Sequence, residues 1–230
     1  MSQSKNRDQL ITVVEPMSPM SEIYRNVLTN IEYSGIDVAM KCVGITSSVP
    51  AEGKSTTISN LAVAYAQNGK KTLLIDGDLR RPIQHKQFNC SRRRGITSYM
   101  TGQHMLDDAI QETDIPNLSL LTAGPQAPNP FEVISSKKMK DMIQELKSSY
   151  DMILVDMPPV LAVSDAQVMS SFCDGMLLIV RSGVVKRQEA AKAKEQLERA
   201  GAKLLGTVLN RISQKEQKMN YYYYYGERGE

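Results

Sequence analysis

The chain has 230 residues, 41% of them hydrophobic and 23% charged, which is enough length for one sizeable core and the composition of an ordinary globular domain. Its formal net charge of +3 is too small for a typical nucleic-acid binder, and the only dense basic run, Arg92-Arg93-Arg94, reads as a solvated loop, so no nucleic-acid partner is expected. Cys42, Cys90 and Cys173 are odd in number and lack CxxC spacing, pointing to neither a disulfide framework nor a structural zinc site and fitting a reducing cytoplasm.

The start, MSQSKNRDQL, has no apolar core of a signal peptide, and no apolar run approaches the roughly 18–20 residues that span a bilayer. Short apolar runs then alternate with helical patterns. The runs KCVGIT (41–46), KTLLID (71–76), LSLLTA (118–123), MILVD (152–156), MLLIV (176–180) and LLGTVLN (204–210) are predicted strands buried on both faces. Segment 55–68 places Ile58, Leu61, Ala62 and Tyr65 on one helical face, and Gly69 supplies its stop. This alternation predicts an α/β fold, a mostly parallel central sheet with helices on both faces. Such sheets bind ligands at the carboxyl ends of their strands. The domain is expected over 18–212, after an N-terminal extension (1–17) and before a flexible tail (213–230). In that tail a polar tether, SQKEQKMN, leads to five consecutive tyrosines, Tyr221, Tyr222, Tyr223, Tyr224 and Tyr225.

The first predicted strand runs into TSSVPAEGKSTT. Gly53-Lys54-Ser55 at a strand-to-helix junction is the context of a phosphate-binding loop, where backbone N–H groups and the helix dipole favour bound anions. Lys54 would reach the β- and γ-phosphates and Ser55 would ligate Mg²⁺. Ser48 stands where the motif has its first glycine. The second strand ends in TLLIDGDLR, delivering Asp76 and Asp78, and the fourth ends in MILVDMPP, delivering Asp156. A lone strand-end aspartate is often a cap or an ion-pair partner. Three of them meeting a phosphate loop at one sheet edge read as a P-loop NTPase binding ATP and Mg²⁺.

These residues resemble the bacterial tyrosine kinases of capsule and exopolysaccharide systems, in the form of separate cytoplasmic kinases of Gram-positive bacteria. The resemblance runs over nearly the whole chain: the loop Pro50-Ala51-Glu52-Gly53-Lys54-Ser55, the D-x-D-x-R stretch within 73–80, the stretch 153–156 followed by Pro158-Pro159, the segment TAGPQAPNP (122–130) and the tyrosine-rich tail. It implies Lys54, Asp76, Asp78 and Asp156 as catalytic residues, with Asp76 accepting the tyrosine proton. Nucleotide binding falls to Pro50, Ala51, Glu52, Gly53, Lys54, Ser55, Thr56 and Asn210, metal binding to Ser55, Asp78 and Asp156, and phosphate acceptance to Tyr221–Tyr225. It also implies transfer to a neighbouring subunit, self-association in a ring, a two-span membrane activator with a cytoplasmic end that recruits the kinase to the inner face of the membrane, a protein-tyrosine phosphatase, and sugar-metabolism proteins as further substrates. Ala51 stands where relatives often carry glycine. Glu22 and Arg25 match the family's E-x-x-R-x-x-R subunit-contact motif, with Leu28 in place of its second arginine.

Two other classes share the loop. A partition or positioning ATPase would carry a signature lysine where this chain has Val49, and a catalytically idle regulator would not need Lys54 and all three aspartates intact.

Overall fold

The computed structural model describes residues 10–35 and 39–212. Among these residues seven strands form one sheet in the order β3-β4-β2-β5-β1-β6-β7. They are β1 (Cys42–Ser47), β2 (Thr72–Asp76), β3 (Ile110–Glu112), β4 (Leu118–Leu121), β5 (Met152–Asp156), β6 (Gly175–Arg181) and β7 (Leu204–Asn210). All neighbours pair in parallel except β3 and β4. Every residue of β1, β2 and β5 is buried, as the continuous aliphatic runs predict for strands covered on both faces.

Among the described residues ten helices flank the sheet: α1 (Ile11–Val14), α2 (Pro19–Tyr33), α3 (Lys54–Gln67), α4 (Gln84–Gln87), α5 (Ile96–Met100), α6 (Leu106–Ala109), α7 (Pro130–Ser135), α8 (Lys137–Ser149), α9 (Asp165–Ser170) and α10 (Arg187–Arg199). The sheet separates two cores. One packs Ile143, Met169 and Leu197 from α8, α9 and α10 against Leu73, Ile153 and Leu178. The other packs Leu28 and Ile31 from α2 and Ile58, Leu61 and Tyr65 from α3 against Val43, Leu74 and Leu154.

Three sequence expectations change. Helix α3 is not half-buried: Thr57 through Ala66 are all buried, because the N-terminal segment covers the side that faces away from the sheet. That segment is no detached extension from Leu10 onward. Leu10 is buried, and the backbone N–H and hydroxyl of Thr12 both donate to Asn60 Oδ1, at 3.1 and 2.9 Å. Finally, β3 is a three-residue antiparallel edge strand, too short to leave a periodic signal. The predicted stop of α3 stands, with Gly69 at φ +78° and its N–H donating to Ala66 O.

Among the described residues no helix is long and apolar enough to cross a membrane. Arg93 and Arg94 lie exposed on a turn, and Arg92 Nε donates to Gly124 O at 3.0 Å, so the basic run forms no continuous face. Among the described residues Cys42, Cys90 and Cys173 form no disulfide.

Candidate active site

The strand order places the ends of β2, β5 and β1 side by side, so their C-terminal loops converge on one cleft of about 610 Å³. At its base the chain turns from β1 into α3 through a strained loop. Ala51 has φ +67° and Gly53 φ +93°, left-handed conformations of the kind that turn successive backbone N–H groups toward a bound anion. Gly53 has no room for a side chain, since a Cβ there would collide with Asn210 Nδ2.

Glu52 holds this loop from behind. Its Oε1 accepts the Val49 N–H at 2.6 Å and its Oε2 the Arg181 N–H at 2.9 Å, tying the loop to the end of β6. Burial pushes the Glu52 carboxyl upward, against those two backbone donors. Asn210, at the end of β7, donates to Glu52 O at 2.9 Å. The side chains of Glu52 and Asn210 thus brace the loop, while Pro50, Ala51, Gly53, Lys54, Ser55 and Thr56 face the cleft.

Lys54 Nζ donates to Asp78 Oδ2 at 3.0 Å, to Asp156 Oδ1 at 3.1 Å and to Ser55 Oγ at 3.1 Å. Burial alone would lower its pKa, but the carboxylates outweigh burial and hold the ammonium above its usual value. Asp76 lies deeper and is fully buried. Its Oδ2 accepts the N–H groups of Ile83 and Gln84 at 3.1 and 2.9 Å, and its Oδ1 has no hydrogen-bond partner among the described residues. Burial first, and then the Asp156 charge, push its carboxyl from 3.8 up to about 8.

Two residues central to this arrangement carry no motif that singles them out. Gln84 is buried and spans the site, its Nε2 donating to Asp156 Oδ2 at 2.7 Å while its Oε1 accepts from Ser59 Oγ at 2.7 Å. Asp165, the buried first residue of α9, takes both Nε and Nη2 of Arg80 in a bidentate pair at 2.8 and 3.0 Å. The arginine of D-x-D-x-R therefore fastens the β2 loop to the loop after β5.

Elsewhere, Glu22 and Arg25 pair with each other on the outside of α2 at 2.7 Å, and Arg25 Nη1 also donates to Pro16 O at 2.9 Å. Leu28 is only 4% exposed and belongs to the core beneath them. Tyr221–Tyr225 lie outside the described residues.

A lysine, a hydroxyl and two carboxylates at a helix N-terminus form a hard-oxygen site beside an anion cradle, suited to a nucleotide's phosphates with Mg²⁺. Among the described residues no three His, Cys, Asp or Glu side chains converge as a metal cage. Magnesium needs none, since one or two carboxylates plus water and phosphate oxygens complete its shell.

Residues 40–204 match the protein family described as AAA domain. The chain is 45% identical to the tyrosine-protein kinase YwqD of Bacillus subtilis (strain 168), over 98% of its own length and 94% of that protein's. The chain belongs to the bacterial tyrosine-protein kinases. Its kinase fold superposes on the chimerical protein CapA2B2 with a TM-score of 0.87 and 42% identity, covering 90% of this chain and 91% of that one. The kinase is also similar to the septum site-determining protein MinD of Pyrococcus horikoshii, solved in complex with Mg-ADP, with a TM-score of 0.66, 28% identity and coverage of 77% and 72% of the two chains.

Proposed function

We propose that this protein-tyrosine kinase is an ATP-dependent, magnesium-requiring autokinase that phosphorylates its cluster Tyr221–Tyr225 in trans, on a neighbouring copy, and thereby regulates capsular or exopolysaccharide synthesis and export. The observation that carries the reading is Lys54 Nζ held at 3.0 and 3.1 Å between Asp78 and Asp156 at the start of α3. A cation so placed needs only to exchange its carboxylate partners for phosphate oxygens.

In this reading the backbone of 50–56 cradles the phosphates and Lys54 neutralises charge developing on the transferred group. Ser55, Asp78 and Asp156 would hold Mg²⁺, which when bound screens the phosphate charge. Gln84 keeps Asp156 oriented from behind. The bond between the γ-phosphorus and the β–γ bridging oxygen breaks, a bond from phosphorus to the phenolic oxygen forms, and the phenol proton passes to Asp76. Asp76 must be ionised to take that proton, so the proton that burial and the Asp156 charge favour on its carboxyl in the metal-free site has to leave before transfer. ADP leaves.

The membrane activator, recruitment to the inner face of the membrane, the ring built through Glu22 and Arg25, the opposing phosphatase and further sugar-metabolism substrates rest on the motif resemblance to the separate kinases of Gram-positive bacteria. The test mixes the purified chain with Mg-ATP, with and without the cytoplasmic ends of two-span membrane proteins, and maps phosphotyrosine by mass spectrometry. Weak transfer alone and strong transfer with one such segment are expected. Full turnover without any partner would remove the activator from the account.

A further inference from the structure

The strand order puts β2 and β5 on one side of β1 and β6 and β7 on the other, and one cleft reaches across them. Arg211, just past β7, lines it, as do Ile83 past β2 and Pro159 and Val163 past β5. All three aspartates end β2 or β5 or follow directly, so they share the β2 and β5 side of the sheet with Ile83, Pro159 and Val163. We propose that the apolar slot between Ile83 and the Pro159–Val163 turn receives the ring of the acceptor tyrosine. The proposal rests on the kinase reading above and names the subsite that makes it specific for a phenol.

Ile83 is 44% exposed and lines the cleft. Its own N–H donates to Asp76 Oδ2 at 3.1 Å, so one turn carries both the apolar lip and the anchor of the proton acceptor. The opposite lip is fixed to the sheet, with Val160 N–H donating to Ser47 O at 2.9 Å and Ala162 N–H to Pro159 O at 3.1 Å. Arg80, which also lines the cleft, is held by its bidentate pair with the buried Asp165 at 2.8 and 3.0 Å. A flat ring entering this slot leaves its edge hydroxyl facing the aspartates while its faces lose water to isoleucine, proline and valine. A serine or threonine hydroxyl, on a one-carbon stem, falls short by the depth of that ring. Tyr221 comes ten positions after cleft-lining Arg211, a reach of about 33–36 Å when extended, which serves this cleft or that of a neighbouring copy.

The test compares wild type, Ile83→Ser, Val163→Ser and Ile83→Leu on a peptide with a single tyrosine, in the presence of Mg-ATP, with the affinity for a fluorescent ATP analogue measured in parallel. The two serine variants are expected to raise the peptide KM about tenfold while nucleotide affinity stays at the wild-type value, and Ile83→Leu to behave as wild type. An unchanged peptide KM in an active kinase would overturn the slot alone, as would a loss of nucleotide affinity that parallels the loss of peptide binding. A wild type that transfers no phosphate to tyrosine would remove the kinase reading and the slot with it.

Discussion

Asp76 and Asp156 are register partners at the ends of neighbouring parallel strands β2 and β5, so two buried carboxylates face one another across a single rung of the sheet. Such a pair resists double ionisation unless a cation compensates it. In this protein the cation is Lys54, which bonds Asp156 and Asp78 directly and leaves Asp76 Oδ1 without a hydrogen-bond partner among the described residues. The site is thus poised, before any ligand, to give up a lysine and gain a metal.

Lys54→Met removes that cation. Phosphotyrosine formation is expected to fall to background, because neither the phosphates nor the carboxylates are then neutralised. The apo protein should also lose stability, by roughly 3 kcal/mol, since the removal leaves buried charge unpaired. Immunoblotting for phosphotyrosine and thermal unfolding of the same preparation check both outcomes.

Asp76→Asn has opposite effects on activity and stability. The folded-state pKa is raised from 3.8 to about 8, so between those values the folded protein holds a proton that the unfolded chain has released. Stability of the metal-free wild type therefore falls as pH rises across that window, the reverse of a salt-bridged aspartate. Asparagine keeps a carbonyl for the Ile83 and Gln84 N–H groups and carries no charge. In EDTA its melting temperature should exceed wild type at pH 8 and show a flatter pH dependence, while kinase activity is lost. A wild-type melting temperature that climbs from pH 5 to 8 relative to the variant would contradict this.

Ala51→Gly relieves a strained backbone. An L-residue at φ +67° costs about 1–2 kcal/mol, partly offset by the greater entropy that glycine has when unfolded. A net gain of about 0.5–1 kcal/mol in chemical denaturation is expected, with the ATP-cradling loop unchanged in sequence elsewhere.

Leu28→Arg restores the letter of the subunit-contact motif and should fail to strengthen assembly. Leu28 is 4% exposed between α2 and α3, so an arginine there must bury a charge or push the helices apart. Unfolding at least 2 kcal/mol easier than wild type is expected. Glu22→Ala and Arg25→Ala, by contrast, remove an exposed pair and should leave stability within about 0.5 kcal/mol, so any loss of self-association seen by light scattering reports on the interface itself.

The sheet was legible because its six parallel strands are continuous aliphatic runs ending in turn or acidic residues, and the meeting of Lys54 with Asp78 and Asp156 was legible because Gly53-Lys54-Ser55 and the strand-end aspartates fall at one edge of that sheet. What escaped the sequence depends on long-range contact. Gln84 lies in a four-residue helix with no periodicity, yet it meets Asp156, which is 72 residues away. Asp165 reads as an ordinary helix-start acid, and only the fold brings Arg80 onto it, from 85 residues away. The full burial of α3 was hidden for the same reason, since the covering residues Leu10, Leu28 and Ile31 belong to a segment whose own pattern says nothing of its target.

Tail phosphorylation should loosen any assembly that it requires. Each phosphotyrosine adds about −1.5 to −2 charges at neutral pH, so even two outweigh or match the formal net of +3 and place the new charge beside Asp76, Asp78 and Asp156. Light scattering of the activator-bound protein before and after Mg-ATP is expected to show a fall in mass.

The most direct measurement of the central claim is a mixing experiment. A chain with Tyr221–Tyr225 all changed to Phe keeps Lys54 and the three aspartates but has no tail tyrosines, and Lys54→Met keeps the tyrosines but not the lysine. The two are combined with Mg-ATP and the activating segment, and the phosphorylated residues of each chain are identified by mass spectrometry. The account predicts phosphate on Tyr221–Tyr225 of the Lys54→Met chain. Phosphorylation of the wild-type tail, together with none on the Lys54→Met chain in the mixture, would contradict transfer between copies.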